Sequence, residues 1–224
     1  DANDSIILTI EGKGNYTGMA TKVWKITRID PKPADFDVIP GLPTVQTYDG
    51  NAVTVTITAG SGIKGMGAIT VKYNGSTEAP SNAGSYVVTV DVSDGGNYNA
   101  RTGMVIGTLT SDKADAPKLA DIKENHRFLL TGEKTVDIKN LVAGALSYTP
   151  GTASGDTGII ENFFVDANGV VKYTLTGTGV AGNTVTLPVT ISSTNYEDTT
   201  VNIVITLTEK DDQQALKLTG GTTV

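Results

Sequence analysis

The sequence predicts an all-β protein built of tandem β-sandwich modules. Three observations carry that reading: Val and Ile alternate with Thr at period 2, two Asn-Gly pairs separate such runs, and no apolar pattern holds a helical period. The composition agrees, with 26 Gly among 224 residues and only 18% charged side chains. At roughly 100–150 residues per domain, this length suggests two domains with fragments of others.

In chain order, residues 5–10 (Ser-Ile-Ile-Leu-Thr-Ile) already read as a strand. Val53, Val55 and Ile57 alternate with Thr54, Thr56 and Thr58, and Tyr86, Val88, Val90 and Val92 alternate with Val87, Thr89 and Asp91. The same holds for Val185, Leu187, Val189 and Ile191, and for Val201, Ile203, Ile205 and Leu207. One face of each strand is apolar and the other Thr-rich, as in a sheet with one dry and one wet side. Pro188 lies on the outward set and has no N–H to donate, which places it at an edge or bulge. Asn74-Gly75 and Asn168-Gly169 tolerate positive φ and predict type I′ hairpin turns. Residues 121–130 come nearest to a helical pattern and are short.

A repeat organises these strands. A strand ending Thr-(Ile/Val), a short polar turn, Asn-Tyr and a Thr-rich strand recur at Asn15-Tyr16, Asn97-Tyr98 and Asn195-Tyr196. The pairs lie 82 and 98 residues apart, close to the ~100 residues of an immunoglobulin-like sandwich. If the motif closes each module, residues 1–29 are the C-terminal hairpin of a preceding repeat, 30–113 one immunoglobulin-like sandwich, 114–210 a second, divergent one, and 211–224 the start of a following repeat. Pro31-Lys32-Pro33 is then a stiff linker. An alternative phase builds one domain from 1–110 with the first hairpin docked on it, because an isolated hairpin is marginal in water. The start carries neither a basic n-region nor an apolar h-region, and both ends are expected to be cuts through a longer array.

Residues 8–18 (Leu-Thr-Ile-Glu-Gly-Lys-Gly-Asn-Tyr-Thr-Gly), 47–51 (Thr-Tyr-Asp-Gly-Asn) and 82–90 (Asn-Ala-Gly-Ser-Tyr-Val-Val-Thr-Val) resemble the bacterial immunoglobulin-like repeats of the MBG type. The tail 216–224 is similar to the opening strand of such a repeat, whereas 114–210 shares mainly the Asn195-Tyr196 hairpin. The resemblance implies an extracellular, wall-anchored or secreted parent protein, and it supplies no catalytic residues.

With no cysteine and a single histidine, the chain offers no disulfide framework, thiolate zinc site or multi-histidine cage. A net charge of −7 without a basic block argues against nucleic acid and anionic membrane as partners. No run reaches the ~18–20 apolar residues of a membrane span. His126 lacks a nucleophile frame and reads as a polar loop or strand-start residue. Asp166-Ala167-Asn168-Gly169 has too few acidic ligands for calcium and reads as a turn. Gly60-Ser61-Gly62 lacks a following helix, so it reads as a loop. Lys134 and Lys139 are candidate amines for a Lys–Asn/Asp cross-link, which needs a desolvated lysine.

Trp24 and Tyr48 are the two candidate binding residues, because an aromatic side chain can stack on a sugar ring and neither register is decided by the pattern. The other tyrosines read as core or as corner pins whose hydroxyl bonds to backbone. No catalytic residue, metal site or cofactor is expected. The expected role is a non-catalytic structural or adhesive repeat region of a bacterial cell-surface or secreted protein, in contact with neighbouring repeats. A glycan or a host or cell-wall ligand is a further expected partner. The alternative is a carbohydrate-binding accessory module of a secreted enzyme.

Overall fold

The computed structural model describes residues 1–209. The expected opening strand within 211–224 lies outside the described residues. The chain is all β and divides into two compact units at Lys113/Ala114.

The first unit begins with a hairpin of β1 (Ser5–Glu11) and β2 (Met19–Lys25), which forms its own two-stranded sheet. Every residue of both strands is exposed. A two-layer sandwich follows. One layer pairs β3 (Phe36–Ile39) with β5 (Thr56–Ala59). The other has the order β4 (Thr44–Thr47), β8 (Arg101–Asp112), β7 (Gly84–Val92), β6 (Ile69–Tyr73). The alternating apolar sets meet between the layers: Val88, Val90, Val92, Met104 and Leu109 pack against Phe36, Val53, Val55 and Ile57. Between β3 and β4 the chain changes layers through cis bonds at Ile39-Pro40 and Leu42-Pro43. Leu42 there lies against β8, where a Cβ on Gly107 would stand 2.6 Å from the Leu42 Cβ. Glycine is needed at 107 for that close approach.

In the second unit, one layer has the order β10 (Thr131–Asp137), β14 (Val170–Thr176), β13 (Ile160–Val165). The facing layer runs β11 (Ala145–Pro150), β15 (Thr184–Ser193), β16 (Thr199–Thr208), β9 (Ile122–Arg127), with the short β12 (Ser154–Gly155) also on β15. Val185, Leu187, Val189, Ile191, Val201, Ile203 and Ile205 are all 0–1% exposed. The Thr faces point outward, as the alternation requires.

Three turn and register expectations change in detail. Asn74 and Gly75 both have positive φ, 48° and 89°, and Tyr73 pairs with Ser76 around them, so a tight turn forms as expected. The chain then loops through residues 77–83 before β7 starts. At Asn168-Gly169 only Gly169 has positive φ (76°). Asp166 N–H donates to the Val170 carbonyl and Gly169 N–H to the Asp166 carbonyl, making a type I turn with a glycine bulge. Pro188 sits on β15, an interior strand rather than an edge. Its carbonyl accepts from Gly151 N–H at 2.8 Å, so its missing N–H faces the same side, where β11 has ended and β12 has not begun. The ladder is interrupted there, and no donor is lost.

Candidate functional site

The Asn-Tyr repeat has a structural role that its spacing did not reveal. In the first unit, Ile29 N–H donates to the Asn97 carbonyl (3.1 Å), and Asn99 N–H donates to the Ile29 carbonyl (2.9 Å). In the second, Ala114 N–H donates to the Asn195 carbonyl (2.9 Å), and Glu197 N–H donates to the Ala114 carbonyl (2.9 Å). Each Asn-Tyr turn therefore grips the segment that enters its own unit, in a parallel bridge to the tyrosine. The grip is made by backbone on either side of the tyrosine. Hydroxyl-to-backbone pins occur at Tyr86, whose hydroxyl donates to the Asn82 carbonyl (2.9 Å), and at Tyr148, whose hydroxyl donates to the Lys139 carbonyl (3.1 Å). Tyr16, in the first copy of the motif, is 80% exposed, and among the described residues no segment bridges to it.

From this grip the entering chain runs alongside the last strand. In the first unit, an Arg101 guanidinium N–H donates to the Pro31 carbonyl (2.8 Å), Thr44–Thr47 pair in parallel with Leu109–Asp112, and Tyr48 N–H donates to the Asp112 carbonyl. In the second, the Thr199 hydroxyl donates to the Pro117 carbonyl, the Asn202 amide donates to the Asp121 carboxylate (3.0 Å), and Ile122–Arg127 pair in parallel with Ile203–Thr208. Among the described residues, an early strand of each sandwich, β4 or β9, therefore points the same way as the closing strand, β8 or β16. Tension applied between the start of the early strand and the end of the closing strand loads these parallel hydrogen bonds in shear.

His126 lies on β9 and faces inward, not in a loop or at a strand start. Its Nε2 is 2.8 Å from the Tyr173 hydroxyl on β14, a hydrogen bond between the two layers. The Glu124 carboxylate lies 4.0 Å from the same nitrogen. Burial holds the imidazole below its usual value; Glu124 opposes that shift and Lys134 adds to it. Burial, with Glu124 adding, raises the Tyr173 phenol well above the ordinary range. Neighbouring sequence showed only a polar Glu-Asn-His-Arg run; the group that orients the ring is 47 residues away.

The candidate binding aromatics are not brought together. Trp24 is on β2 opposite Ile6 and 47% exposed, whereas Tyr48 is half-buried after β4, in a different sheet. The Asp166 carboxylate accepts from the N–H groups of Asn168 and Val170, both at 2.9 Å, which is the work of a turn. Lys139 is exposed and paired with Asp137 at 3.0 Å, so it lacks the desolvation a cross-linking amine needs.

Comparison with known structures returned matches at low identity and low TM-score. An endo-fucoidan hydrolase of glycoside hydrolase family 107 matches at 12% identity and a TM-score of 0.30, over 93% of this chain and 34% of its own. SGBP-B of the Bacteroides ovatus mixed-linkage glucan utilization locus, in complex with a mixed-linkage heptasaccharide, matches at 13% and 0.23, over 77% and 47%. The immunoglobulin domains 1–5 of Sidekick-1 match at 12% and 0.25, over 92% and 56%. The chain thus spans about a third of the length of the fucoidan hydrolase. A comparison with curated proteins returned no match. The family model of the MBG domain matches residues 43–115, the segment that holds Tyr48, β4 to β8 and the Asn97-Tyr98 grip.

Proposed function

We propose that this chain is a non-catalytic repeat region of a bacterial cell-surface or secreted protein, and that it acts as a spacer that bears tension. The observation that carries this reading is the parallel, hydrogen-bonded pairing of an early strand with the closing strand in each sandwich, β4 with β8 and β9 with β16. Under tension along the chain the bonds of a sheared pair must break together, whereas a peeled pair loses them one at a time. The MBG match over 43–115 supports the bacterial-surface setting. The acidic surface, at net charge −7, would discourage collapse onto anionic wall polymers. Neighbouring repeats are the proposed partners, and the cell wall or cell surface the proposed location. Single-molecule stretching tests the reading: each unit should give a separate high-force unfolding event. Low-force, gradual extension would contradict it.

The second reading, a carbohydrate-binding accessory module, is favoured by the 47% exposure of Trp24. It predicts saturable binding to a glycan array that Trp24→Ala abolishes. No binding on a broad array would remove its support.

A further inference from the structure

In the two sandwiches the entering chain reaches the closing strand by different routes. In the second, Ala114 is bridged to Tyr196, the Thr199 hydroxyl holds the Pro117 carbonyl, Asn202 holds Asp121, and Ile122 then pairs with Ile203. Between the bridge and the first strand pair, seven residues of the entering chain stand against six of the closing segment. Almost no slack is held there. In the first unit, Ile29 is bridged to Tyr98 and Thr44 pairs with Leu109, so fourteen residues stand against ten. The surplus is a detour into the facing layer: a 3-10 turn at Pro33–Asp35, β3 against β5, and a return through residues 40–43. At ~3.3 Å per residue, the four extra residues keep about 13 Å of chain in reserve.

We propose that this detour is a tension-driven extension step of the first unit: under load the Ile29 grip releases and β3 leaves β5, lengthening the unit while β4–β8 still holds. The straight route of the second unit provides no such step. The inference rests on the spacer reading for its purpose. Its order of events follows from how load passes along the chain. Tension that enters before Ile29 and leaves after Asp112 is carried first by the grip, and β4 is unloaded while the grip holds. The grip is slight. It consists of two backbone bonds at Ile29, itself 55% exposed, the Asn99 amide donating to the Asp30 carboxylate (2.8 Å), and the Arg101 guanidinium donating to the Pro31 carbonyl (2.8 Å). Once it opens, load falls on β3, whose four residues pair with β5 alone. Only then is β4 loaded, with Tyr48 N–H on the Asp112 carbonyl prolonging its pairing with β8. Phe36 and Val38 belong to the apolar core, so burial draws the detour back when tension falls.

The chain has no cysteine, so a pair introduced for handles is unique. The whole chain carrying Thr27→Cys and Lys113→Cys is stretched slowly in an optical or magnetic trap. A reversible lengthening of about 13 Å should precede the main unfolding event. Handles at Gly41→Cys and Lys113→Cys bypass the detour and should show the main event alone. Handles at Lys113→Cys and Glu209→Cys should give a single event for the second unit. Asn99→Ala combined with Arg101→Ala should lower the force of the short step and leave that of the main event unchanged. A single event from Thr27, a short step that persists from Gly41, or a step whose force ignores the double variant would each overturn the proposal. A single high-force event from Thr27 leaves the spacer reading standing. Gradual low-force extension from Gly41 would remove that reading, and this inference with it.

Discussion

At His126 the physics of one side chain sets a pH dependence for the second unit. Its pKa in the fold lies below the ordinary 6.5 because burial disfavours the imidazolium. Below pH 6.5 the unfolded chain therefore binds more protons than the folded one. This group's contribution to stability is then complete above about pH 6.5 and is lost as pH falls toward the folded pKa. The second unit should melt lower at pH 5 than at pH 7, and His126→Gln should flatten that difference; an equal difference in the variant would contradict the assignment. Val88 and Ile203 make a simpler case. Both are fully buried, and Asp at either should cost about 3 kcal/mol or more in a denaturant titration. Their burial was legible from alternation alone. The role of His126 was not, because its partner Tyr173 is distant in sequence and belongs to the other layer.

Among the elements, the entry grips and the close approach at Gly107 allow the sharpest tests. Ala114→Pro removes the N–H that donates to Asn195, while leaving Ala114's carbonyl role to its replacement. It should lower the stability of the second unit by about 1 kcal/mol, the net worth of a hydrogen bond. Gly107→Val should cost about 1–3 kcal/mol by overpacking against Leu42, and Leu42→Gly should restore part of that loss in a double-mutant cycle. The strands themselves followed from period-2 pattern and the turns from Asn-Gly. Pro188 was expected at an edge or bulge and lies on an interior strand beside the gap between β11 and β12, because local sequence shows a missing donor but not a break in the neighbouring strand. The Asn-Tyr repeat was visible as a recurrence. Its partners, Ile29 and Ala114, carry no signature, since a backbone bridge asks nothing of the side chain.

For each sandwich as a whole, the parallel alignment of an early strand with the closing one, β4 with β8 and β9 with β16, is a property of topology, and no residue in either strand announces it. The sandwich class could be read from the chain, yet the direction in which these strands meet could not. That direction is the basis of the proposed mechanical role. The most direct measurement compares two pulling geometries on the first unit. Handles at Gly41 and Lys113, just before β4 and just after β8, load β4–β8 in shear, because tension runs along the parallel pair. Handles at Gly50 and Lys113 act at one end of the same pair, next to Thr47 and Asp112, and peel it bond by bond. The spacer account predicts a clearly higher unfolding force in the first geometry than in the second. Equal forces in the two geometries would contradict it.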